Sequence, residues 1–397
     1  MKFSFQKTDF SLTLNKSCNI LKRDELKEKQ WTEIEGYFVK KEFFVPGRTE
    51  LAGNHTDHQN GRILGAAIRQ GLSAVVTPND AGLVRVQSQG QPDVEVRLHS
   101  LSVRPREFGK SSALVRGVLA GFKNLGLNIG GFDAVVRSDL PAGAGLSSSA
   151  AFSVLMGRIL SELYNDGRVE PVVLARVAQE AENIHFGKPC GLMSQMVCAM
   201  GQTLYVDLKS REIQQFRADF PAMGLSLCLT DTGGSHAGLD TSYARIPADM
   251  TYIANLFDKG VLGDVDPEEF RAKGWDPANR PVRRAMHFFD ENERVPKMRD
   301  ALKRGDGETY MRLMNESGRS SENLLNNIIT SSTGDTKLAQ GLEKSAALLE
   351  GRGAWRVHGG GFAGCVQALM PRDYFPIYQR EMEKTFGPGS CWELSLG

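Results

Sequence analysis

The chain has 397 residues, of which 41% are hydrophobic and 24% are charged, as is usual for a globular protein with a large core. Its formal net charge of +1 excludes the strongly basic balance of proteins that bind nucleic acids or membrane surfaces. No run approaches the roughly 18 apolar residues of a transmembrane helix, and residues 1–10 lack the apolar core of a signal peptide. Six cysteines without a C-x-x-C pair indicate reduced thiols. We expect a soluble, cytoplasmic monomer that binds neither nucleic acid nor membrane.

The first 140 residues are predicted to form mainly β-strands. A charged surface helix over residues 24–37 precedes a strand from Lys41 to Val45, which Pro46-Gly47 should stop. Between residues 112 and 125 the pattern predicts a helix that Gly126 ends. Short apolar or alternating runs predict further strands at residues 61–68, 72–77, 83–87, 94–98 and 132–136.

The chain is organised around the stretch from Pro141 to Ala151, in which small residues lead into a run of serines that opens an apolar helix. Gly143 and Gly145 allow tight turns that a side chain would block. Serine hydroxyls, the unpaired N–H groups of a helix start and the helix dipole together form a site for an anion, phosphate above all. No Lys follows the glycines, so this is not a Walker A loop. A serine-capped turn without a ligand is the structural alternative.

Three helices are predicted to follow, over residues 148–164 and onward from Pro171 and Pro189. The first is apolar nearly all round, so it should be buried on several sides. Glu182 lies off the apolar face of the second helix. It is either a carboxylate ligand for Mg²⁺, which prefers oxygen ligands, or an ordinary exposed residue.

The remainder of the chain predicts a second set of strands and helices. A polar turn at residues 208–214 is a candidate domain boundary, and residues 249–279 show no regular pattern. Helices over residues 283–305 and 308–315 carry many charges, which we expect on a solvated face. The strands are expected at residues 202–207, 224–230, 355–358 and 365–369, the last two joined by a glycine-rich loop.

A polar segment between two apolar ones contains Arg48, Asn54, His55, Asp57 and His58. Its mixed donors and acceptors suit the hydroxyls of a sugar, and Arg48 could meet a phosphate. A metal site is the alternative for the histidines and Asp57, although adjacent ligands on one short loop rarely close such a site. The segment therefore favours a sugar beside a phosphate.

Several segments of the chain resemble known motifs. Val45 to Gly61 resembles the galactokinase signature, and Pro141 to Ala151 resembles the phosphate-binding motif of the GHMP kinases. His358 to Cys365 resembles the third, glycine-rich motif of that superfamily. These and shorter matches run in family order from about residue 43 to residue 369, so the resemblance to the galactokinase family covers most of the chain.

The resemblance implies an α+β, two-domain GHMP kinase fold with the active site in the cleft between the domains. It places an N-terminal domain at residues 1–209 and a C-terminal domain at residues 210–397. It also implies ATP-dependent phosphorylation of a sugar, with the anomeric hydroxyl of galactose as the default target and with ATP and Mg²⁺ as cofactors.

Carried over by position, the resemblance assigns roles to single residues. Arg48 would lie beside the transferring phosphoryl group, and Glu182 with Ser149 or Ser148 would hold Mg²⁺. The ATP phosphates would be held by Gly143, Gly145, Ser147 and Ser148. The sugar would contact Asn54, His55, Asp57 and Tyr243.

Two positions depart from the family pattern. Asn54 replaces the usual Glu of the sugar-binding motif, which removes a charge-assisted hydrogen bond and predicts altered hexose selectivity. Ser194 stands where the family has its catalytic Asp. Two functions therefore stay open: a slow sugar kinase, and a catalytically silent relative that binds sugar and ATP as a sensor or regulator.

Overall fold

The structure, a computed structural model, describes residues 40–141, 145–234, 238–329 and 334–397. A first sheet contains the strands β1 (Lys41–Ala52), β2 (Arg62–Asn79), β3 (Leu83–Ser88), β4 (Val94–Arg97), β5 (Gly131–Ser138), β6 (Thr203–Asp207) and β7 (Glu212–Phe216). Their order is β4-β3-β5-β2-β6-β7, with β1 paired to β2. These pairs are antiparallel, except that β3 and β5 run parallel.

A second, antiparallel sheet contains β8 (Leu225–Asp231), β9 (Ala354–Val357), β10 (Cys365–Pro371) and β11 (Cys391–Glu393), in the order β11-β8-β10-β9. The α-helices are α1 (Ser111–Asn124), α2 (Ser148–Tyr164), α3 (Pro171–Glu180), α4 (Met193–Met200), α5 (Asp240–Asn255), α6 (Pro267–Arg271), α7 (Arg280–Arg304), α8 (Gly307–Ser320), α9 (Lys337–Leu349) and α10 (Phe375–Phe386). In the described parts of the chain, no helix is both long and apolar enough to span a membrane.

Helix α2 is buried on several sides, as its apolar sequence predicts. Val154, Leu155 and Ile159 are fully buried, and even Ser153 and Ser161 are excluded from solvent. Each buried aliphatic side chain contributes about 1.5–3 kcal/mol relative to an exposed one. The same hydrophobic cluster includes Ala150 and Ala151 of the first turn of α2 and side chains of both sheets. The shared core therefore fixes the position of that turn.

The prediction that Pro46-Gly47 stops the first strand is wrong, because β1 continues to Ala52. β1 pairs with β2 on both sides of these residues, with a register shift between Pro46 and Arg48. A bulge of this kind accommodates a proline, which has no N–H for the ladder. The strands predicted at residues 61–68 and 72–77 are likewise one strand, β2.

Most of the other predicted elements are confirmed. The predicted strands coincide with β3 to β6 and β8 to β10, and the predicted helices with α1 to α3, α7 and α8. The third helix after the serine run begins at Met193 and not at Pro189, and the turn predicted at residues 208–214 contains the start of β7. The helix predicted at residues 24–37 lies outside the described residues.

We expected the arginine and glutamate charges of α7 on a solvated face, and for Arg284 and Glu291 this is wrong, while His287 is buried with them. Arg284, His287 and Glu291 are buried, with 4%, 0% and 0% of each residue exposed. Each has hydrogen-bond partners inside the protein, as buried polar groups require. His287 and Glu291 bind the backbone of Asn54 and Gly53, so their part of α7 packs against residues 45–61, which we call the signature segment. Arg284 binds Asp249 of α5.

The first sheet ends at Phe216 and the second begins at Leu225. The predicted division between residues 209 and 210 lies between β6 and β7, which pair with each other in one sheet. We therefore propose that the domain division lies at residues 217–224, after β7.

Candidate active site

The bulge in β1 brings Arg48 to the turn that precedes α2. The backbone N–H of Arg48 donates to the carbonyl of Leu146 at 3.2 Å. The side chain is buried, with 8% of the residue exposed, and its Nη1 donates to the carbonyl of Gly145 at 2.7 Å. The arginine predicted to meet a phosphate therefore lies against the predicted phosphate-binding stretch from Pro141 to Ala151, which we call the phosphate turn.

Ser194, in the first turn of α4, is the other partner of this arginine. Nε and Nη2 of Arg48 donate to Ser194 Oγ at 3.0 and 2.9 Å. The hydroxyl of Ser147 donates to the same oxygen at 2.9 Å. Arg48, Gly145, Ser147 and Ser194 form what we call the phosphate cluster. It joins the signature segment, the phosphate turn and the helix that carries the family's catalytic position.

The described residues just before α2 have a backbone geometry that leaves the helix start open to an anion. Ser147 precedes α2 with φ 61° and ψ 46°, a left-handed conformation that is uncommon outside glycine. Its side chain makes no capping bond to the helix, because the hydroxyl binds Ser194. The first N–H groups of α2 therefore lack a cap from this serine and can meet an anion. Gly145 has φ 67°, which glycine adopts without strain.

Ser148, Ser149 and Gly143 are the remaining residues of this stretch that the sequence assigns to the ATP phosphates or to Mg²⁺. Ser148 is exposed and Ser149 is half-buried, both at the start of α2. Gly143 lies outside the described residues. The roles assigned to these residues stay predictions.

Glu182 is buried and is not an ordinary exposed helix residue. It lies in a turn of π-helix, Ala181–Phe186, that continues α3, and 2% of it is exposed. Its Oε1 has no hydrogen-bond partner among the described residues. An unpaired buried carboxylate oxygen is costly, and Mg²⁺, which binds oxygen ligands, would supply the partner. Together with a hydroxyl of Ser148 or Ser149, Glu182 therefore has the donor chemistry that Mg²⁺ prefers.

Arg48 is a buried cation whose hydrogen-bond partners are neutral. Burial lowers the pKa of Arg48, while the carboxylates of Glu50, Asp57 and Glu182 oppose that effect. The guanidinium stays charged at neutral pH because arginine does not lose its proton in proteins. A charged donor bound to a hydroxyl and a carbonyl can exchange those partners for a phosphate oxygen, which binds it more strongly.

Asp57 holds the beginning of α4. Its Oδ2 accepts a hydrogen bond from the backbone N–H of Met193 at 3.2 Å. The approach requires a glycine at position 191, because a Cβ there would lie 1.8 Å from Asp57 Oδ2. Burial raises the pKa of Asp57, and the Met193 N–H and Arg48 lower it. The position of Ser194, one residue beyond Met193, therefore depends on Asp57.

Three residues assigned to the sugar hold the glycine-rich loop between β9 and β10. Nδ2 of Asn54, Nε2 of His55 and the hydroxyl of Tyr243 bind consecutive carbonyls at 2.6, 3.1 and 2.6 Å. These carbonyls belong to Gly359, Gly360 and Gly361. The structure thus brings the three residues together. Their contact with a sugar stays a prediction.

The amide of Asn54 is fully occupied by protein partners, and 1% of the residue is exposed. Besides the loop carbonyl, its Nδ2 donates to Glu50 Oε1 at 3.2 Å. Its Oδ1 accepts from Ser321 Oγ and Asn327 Nδ2, both at 3.3 Å. The position therefore uses both a donor and an acceptor, and a Glu there would lack the donor.

His55 and His58 form a hydrogen-bonded pair, with His55 Nδ1 at 3.2 Å from His58 Nε2. Because Nε2 of His55 donates to a carbonyl, its Nδ1 accepts and His58 Nε2 carries the proton. Burial lowers the pKa of His55 to about 4 and the pKa of His58 well below its usual value. The described residues contain no group of three or more His, Cys, Asp or Glu that could hold a metal ion.

A buried ion pair lies beneath the signature segment, and sequence reasoning did not find it. Nη2 of Arg356 lies 3.2 Å from Oε1 of Glu50 and donates to its backbone carbonyl at 2.9 Å. Nε of Arg356 donates to Gln367 Oε1 at 3.0 Å. Both charged residues are almost fully buried, with 1% of the Arg356 side chain and 3% of the Glu50 side chain exposed. Their separation by 306 residues leaves no local pattern that could have indicated the pair.

Glu291 of α7 continues this arrangement. It accepts from the backbone N–H of Gly53 at 3.0 Å and from Ser317 Oγ at 2.9 Å, and it pairs with Arg294. Burial raises the pKa of Glu291, but Arg294 and His287 outweigh this effect, and the pKa falls to about 2. We call Glu50, Asn54, Glu291 and Arg356 the signature network.

Two family models match the sequence. The GHMP kinases N terminal domain matches residues 112–202, which include the phosphate turn, Glu182 and Ser194. The galactokinase galactose-binding signature matches residues 36–78, which include Arg48 and Asn54.

Solved structures share the fold. Galactokinase of Lactococcus lactis, complexed with galactose, is similar with a TM-score of 0.79 and 23% identity, over 90% of this chain and 94% of that chain. Mevalonate kinase of Methanococcus jannaschii has a TM-score of 0.62 and 14% identity, over 92% and 100%. Phosphomevalonate kinase of Streptococcus pneumoniae has a TM-score of 0.60 and 14% identity, over 89% and 98%.

At these identities the solved structures establish the fold alone, and the two family models add a likeness in sequence over residues 36–78 and 112–202. The chain has the α+β, two-domain GHMP kinase fold. Its resemblance to the galactokinase family of the GHMP kinases is thereby confirmed.

Proposed function

We propose that the protein is a galactokinase-like sugar kinase that uses MgATP to phosphorylate galactose or a related hexose at the anomeric hydroxyl. The phosphate cluster carries this proposal. In it a buried guanidinium with neutral partners lies between a helix-start anion site and Ser194. Phosphoryl transfer depends mainly on positioning and on stabilising charge, because its transition state is loose. Arg48 is suited to the second task.

ATP would bind with its phosphates at the turn from Pro141 to Ala151. Glu182 and a hydroxyl of Ser148 or Ser149 would hold Mg²⁺, which neutralises phosphate charge when bound. The unpaired Oε1 of Glu182 supports this assignment, since it already lies buried without a partner among the described residues.

Galactose or a related hexose is the proposed acceptor. The galactokinase galactose-binding signature and the likeness to a galactokinase complexed with galactose support this choice. His55, Asp57 and Tyr243 would contact the sugar, and the buried Asn54 would act by fixing the loop beside it.

Ser194 would make the enzyme slow. A serine hydroxyl has far too high a pKa to act as a base near neutral pH, and a general base is worth about 10²–10⁴ in rate. The Ser194 oxygen also accepts hydrogen bonds from Arg48 and Ser147, so its lone pairs are engaged. The same observation favours the second candidate, a silent relative that binds sugar and ATP as a sensor or regulator.

A coupled assay of ATP consumption across a panel of hexoses tests the proposal. Ser194→Asp should raise turnover by about tenfold or more with little effect on ATP affinity, because it adds a base beside Arg48. Ser194→Asn, which has the same shape without the charge, is the matched control and should remain as slow as the parent. If Ser194→Asp binds sugar and ATP but is as slow as the parent on every hexose, the sensor replaces the kinase.

A further inference from the structure

His358, the residue before the glycine-rich loop, has one ring nitrogen whose role is fixed by its neighbours. Its Nε2 lies 3.3 Å from the backbone N–H of Glu50 and 3.1 Å from Thr49 Oγ1. A backbone N–H can only donate, so Nε2 accepts and the proton of the neutral ring is on Nδ1. Burial lowers the pKa of His358 well below its ordinary value, and Arg48 and Arg356 add to the effect. The ring is therefore neutral.

The Nδ1–H of this ring has nothing to donate to within the described residues. The residue is 3% exposed, and Nδ1 is buried without a hydrogen-bond partner. Buried donors are paired in the great majority of cases, and an unpaired one calls for an explanation. Nδ1 faces the phosphate turn, because a Cβ on Gly145 would lie 3.4 Å from it. Arg48 approaches the same glycine, with Nη1 at 2.7 Å from its carbonyl.

We propose that His358 is a ligand of the terminal phosphate of ATP, to which it donates the Nδ1–H when the nucleotide occupies the phosphate turn. This inference rests on the proposed function, since it takes that turn as the nucleotide site. Arg48 and His358 then bind the same phosphate, one as a cation and the other as a neutral donor. The sequence motifs assign no role to His358.

Two features of the geometry make this contact possible. Gly145 has no side chain between Nδ1 and the outer side of the turn, and it is itself exposed. Nδ1 is enclosed, so the contact requires a small displacement of the turn, and the absence of a side chain on Gly145 removes one obstacle to it. Arg48 lies beside Ser194, the family's catalytic position, so the phosphate bound there is the one that ATP transfers. ADP lacks this phosphate, and the Nδ1–H of His358 should therefore strengthen the binding of ATP but not of ADP.

Two polar substitutions of His358 separate the contributions of its two ring nitrogens. The amide of an asparagine reaches the position of Nδ1, so His358→Asn keeps a donor toward the turn. The longer glutamine reaches the position of Nε2, so His358→Gln keeps the contact with Glu50 and loses the donor. Dissociation constants for MgATP and MgADP are measured by titration calorimetry on the full chain of parent and variants. Urea unfolding confirms that both variants are folded.

His358→Gln should weaken MgATP binding by about three- to tenfold, the usual worth of a neutral hydrogen bond, and leave MgADP binding unchanged. His358→Asn should bind MgATP within about twofold of the parent. If His358→Gln retains the parent's ratio of the two dissociation constants, this proposal fails and the proposed function stands. If the parent binds no MgATP, the proposed function fails and this proposal fails with it.

Discussion

The signature network and the phosphate cluster are neighbours, yet they treat their buried charges in opposite ways. In the network, Glu50 pairs with Arg356 and Glu291 pairs with Arg294. Among the described residues, the side chain of Arg48 in the cluster binds a hydroxyl and a carbonyl but no carboxylate, and nearby Glu182 keeps an oxygen without a partner. A buried charge is stable when it is paired and costly when it is not. We infer that the network is a scaffold, and we propose that a ligand completes the cluster.

Breaking an ion pair of the scaffold should cost much more unfolding free energy than breaking an ion pair at the surface. Arg356→Met leaves the carboxylate of Glu50 buried without its cation, which should cost about 3–5 kcal/mol of unfolding free energy. Urea unfolding followed by circular dichroism measures the loss. Arg217→Met is the control, because its side chain is 81% exposed although it also lies near a carboxylate. A loss for Arg356→Met no greater than that of the control would remove the distinction between scaffold and surface.

Acid should weaken the protein through its buried histidines. His55 has a pKa of about 4 in the folded chain, against about 6.5 when unfolded. Between these values the unfolded chain binds more protons, so stability falls as pH decreases from about 6.5 to 4. His55 alone should contribute on the order of 2–3 kcal/mol across that window.

The histidine contribution is measured as the unfolding free energy at a series of pH values. His55→Gln should flatten the decline between pH 6.5 and 4, with each removed pKa unit worth about 1.4 kcal/mol. His99→Gln, at an exposed position, should leave the decline unchanged. A decline in His55→Gln as steep as that of the parent would contradict the neutral state of the buried His55 ring.

A carboxylate at position 54 should damage the scaffold before it affects the sugar. Asn54→Glu replaces the donor to Glu50 by a second buried negative charge and should cost about 1–3 kcal/mol. Adding Glu50→Gln should restore part of that loss, because it removes the repulsion. A double-mutant cycle in urea measures the coupling. Strictly additive losses would mean that the two side chains do not interact.

Much of the fold follows from the sequence because periodicity is local. The apolar sequence from Ser148 to Tyr164 predicts α2 at its observed bounds, and alternation predicts β3 and β4. Local patterns fail where a distant partner decides the outcome. β1 continues through Pro46-Gly47 because it pairs with β2 on both sides. Arg284 and Glu291 of α7 are buried because their partners, Asp249 and Gly53, are distant in sequence.

The structure brings together three residues that the sequence assigns to the candidate site, but the contacts between them could not be predicted. The motifs identify Arg48, Ser147 and Ser194 as neighbours of phosphate or sugar. That one hydroxyl joins the other two side chains depends on contacts across 146 and 47 residues. The role of Asn54 could not be read from its motif either, because its partners lie on the glycine-rich loop and beyond α8.

Titration of MgATP into two glycine variants tests most directly whether the phosphate turn is a ligand site. Gly145 and Gly82 have nearly the same backbone angle, with φ 67° and 65°, so a leucine strains both alike. A Cβ on Gly82 would meet no described atom within 4 Å beyond its chain neighbours, whereas a Cβ on Gly145 would lie 3.4 Å from His358 Nδ1, and the carbonyl of Gly145 binds Arg48. We expect Gly82→Leu to bind MgATP as the parent does and folded Gly145→Leu to give no measurable binding. Equal affinity in the two folded variants would contradict the phosphate turn as the nucleotide site.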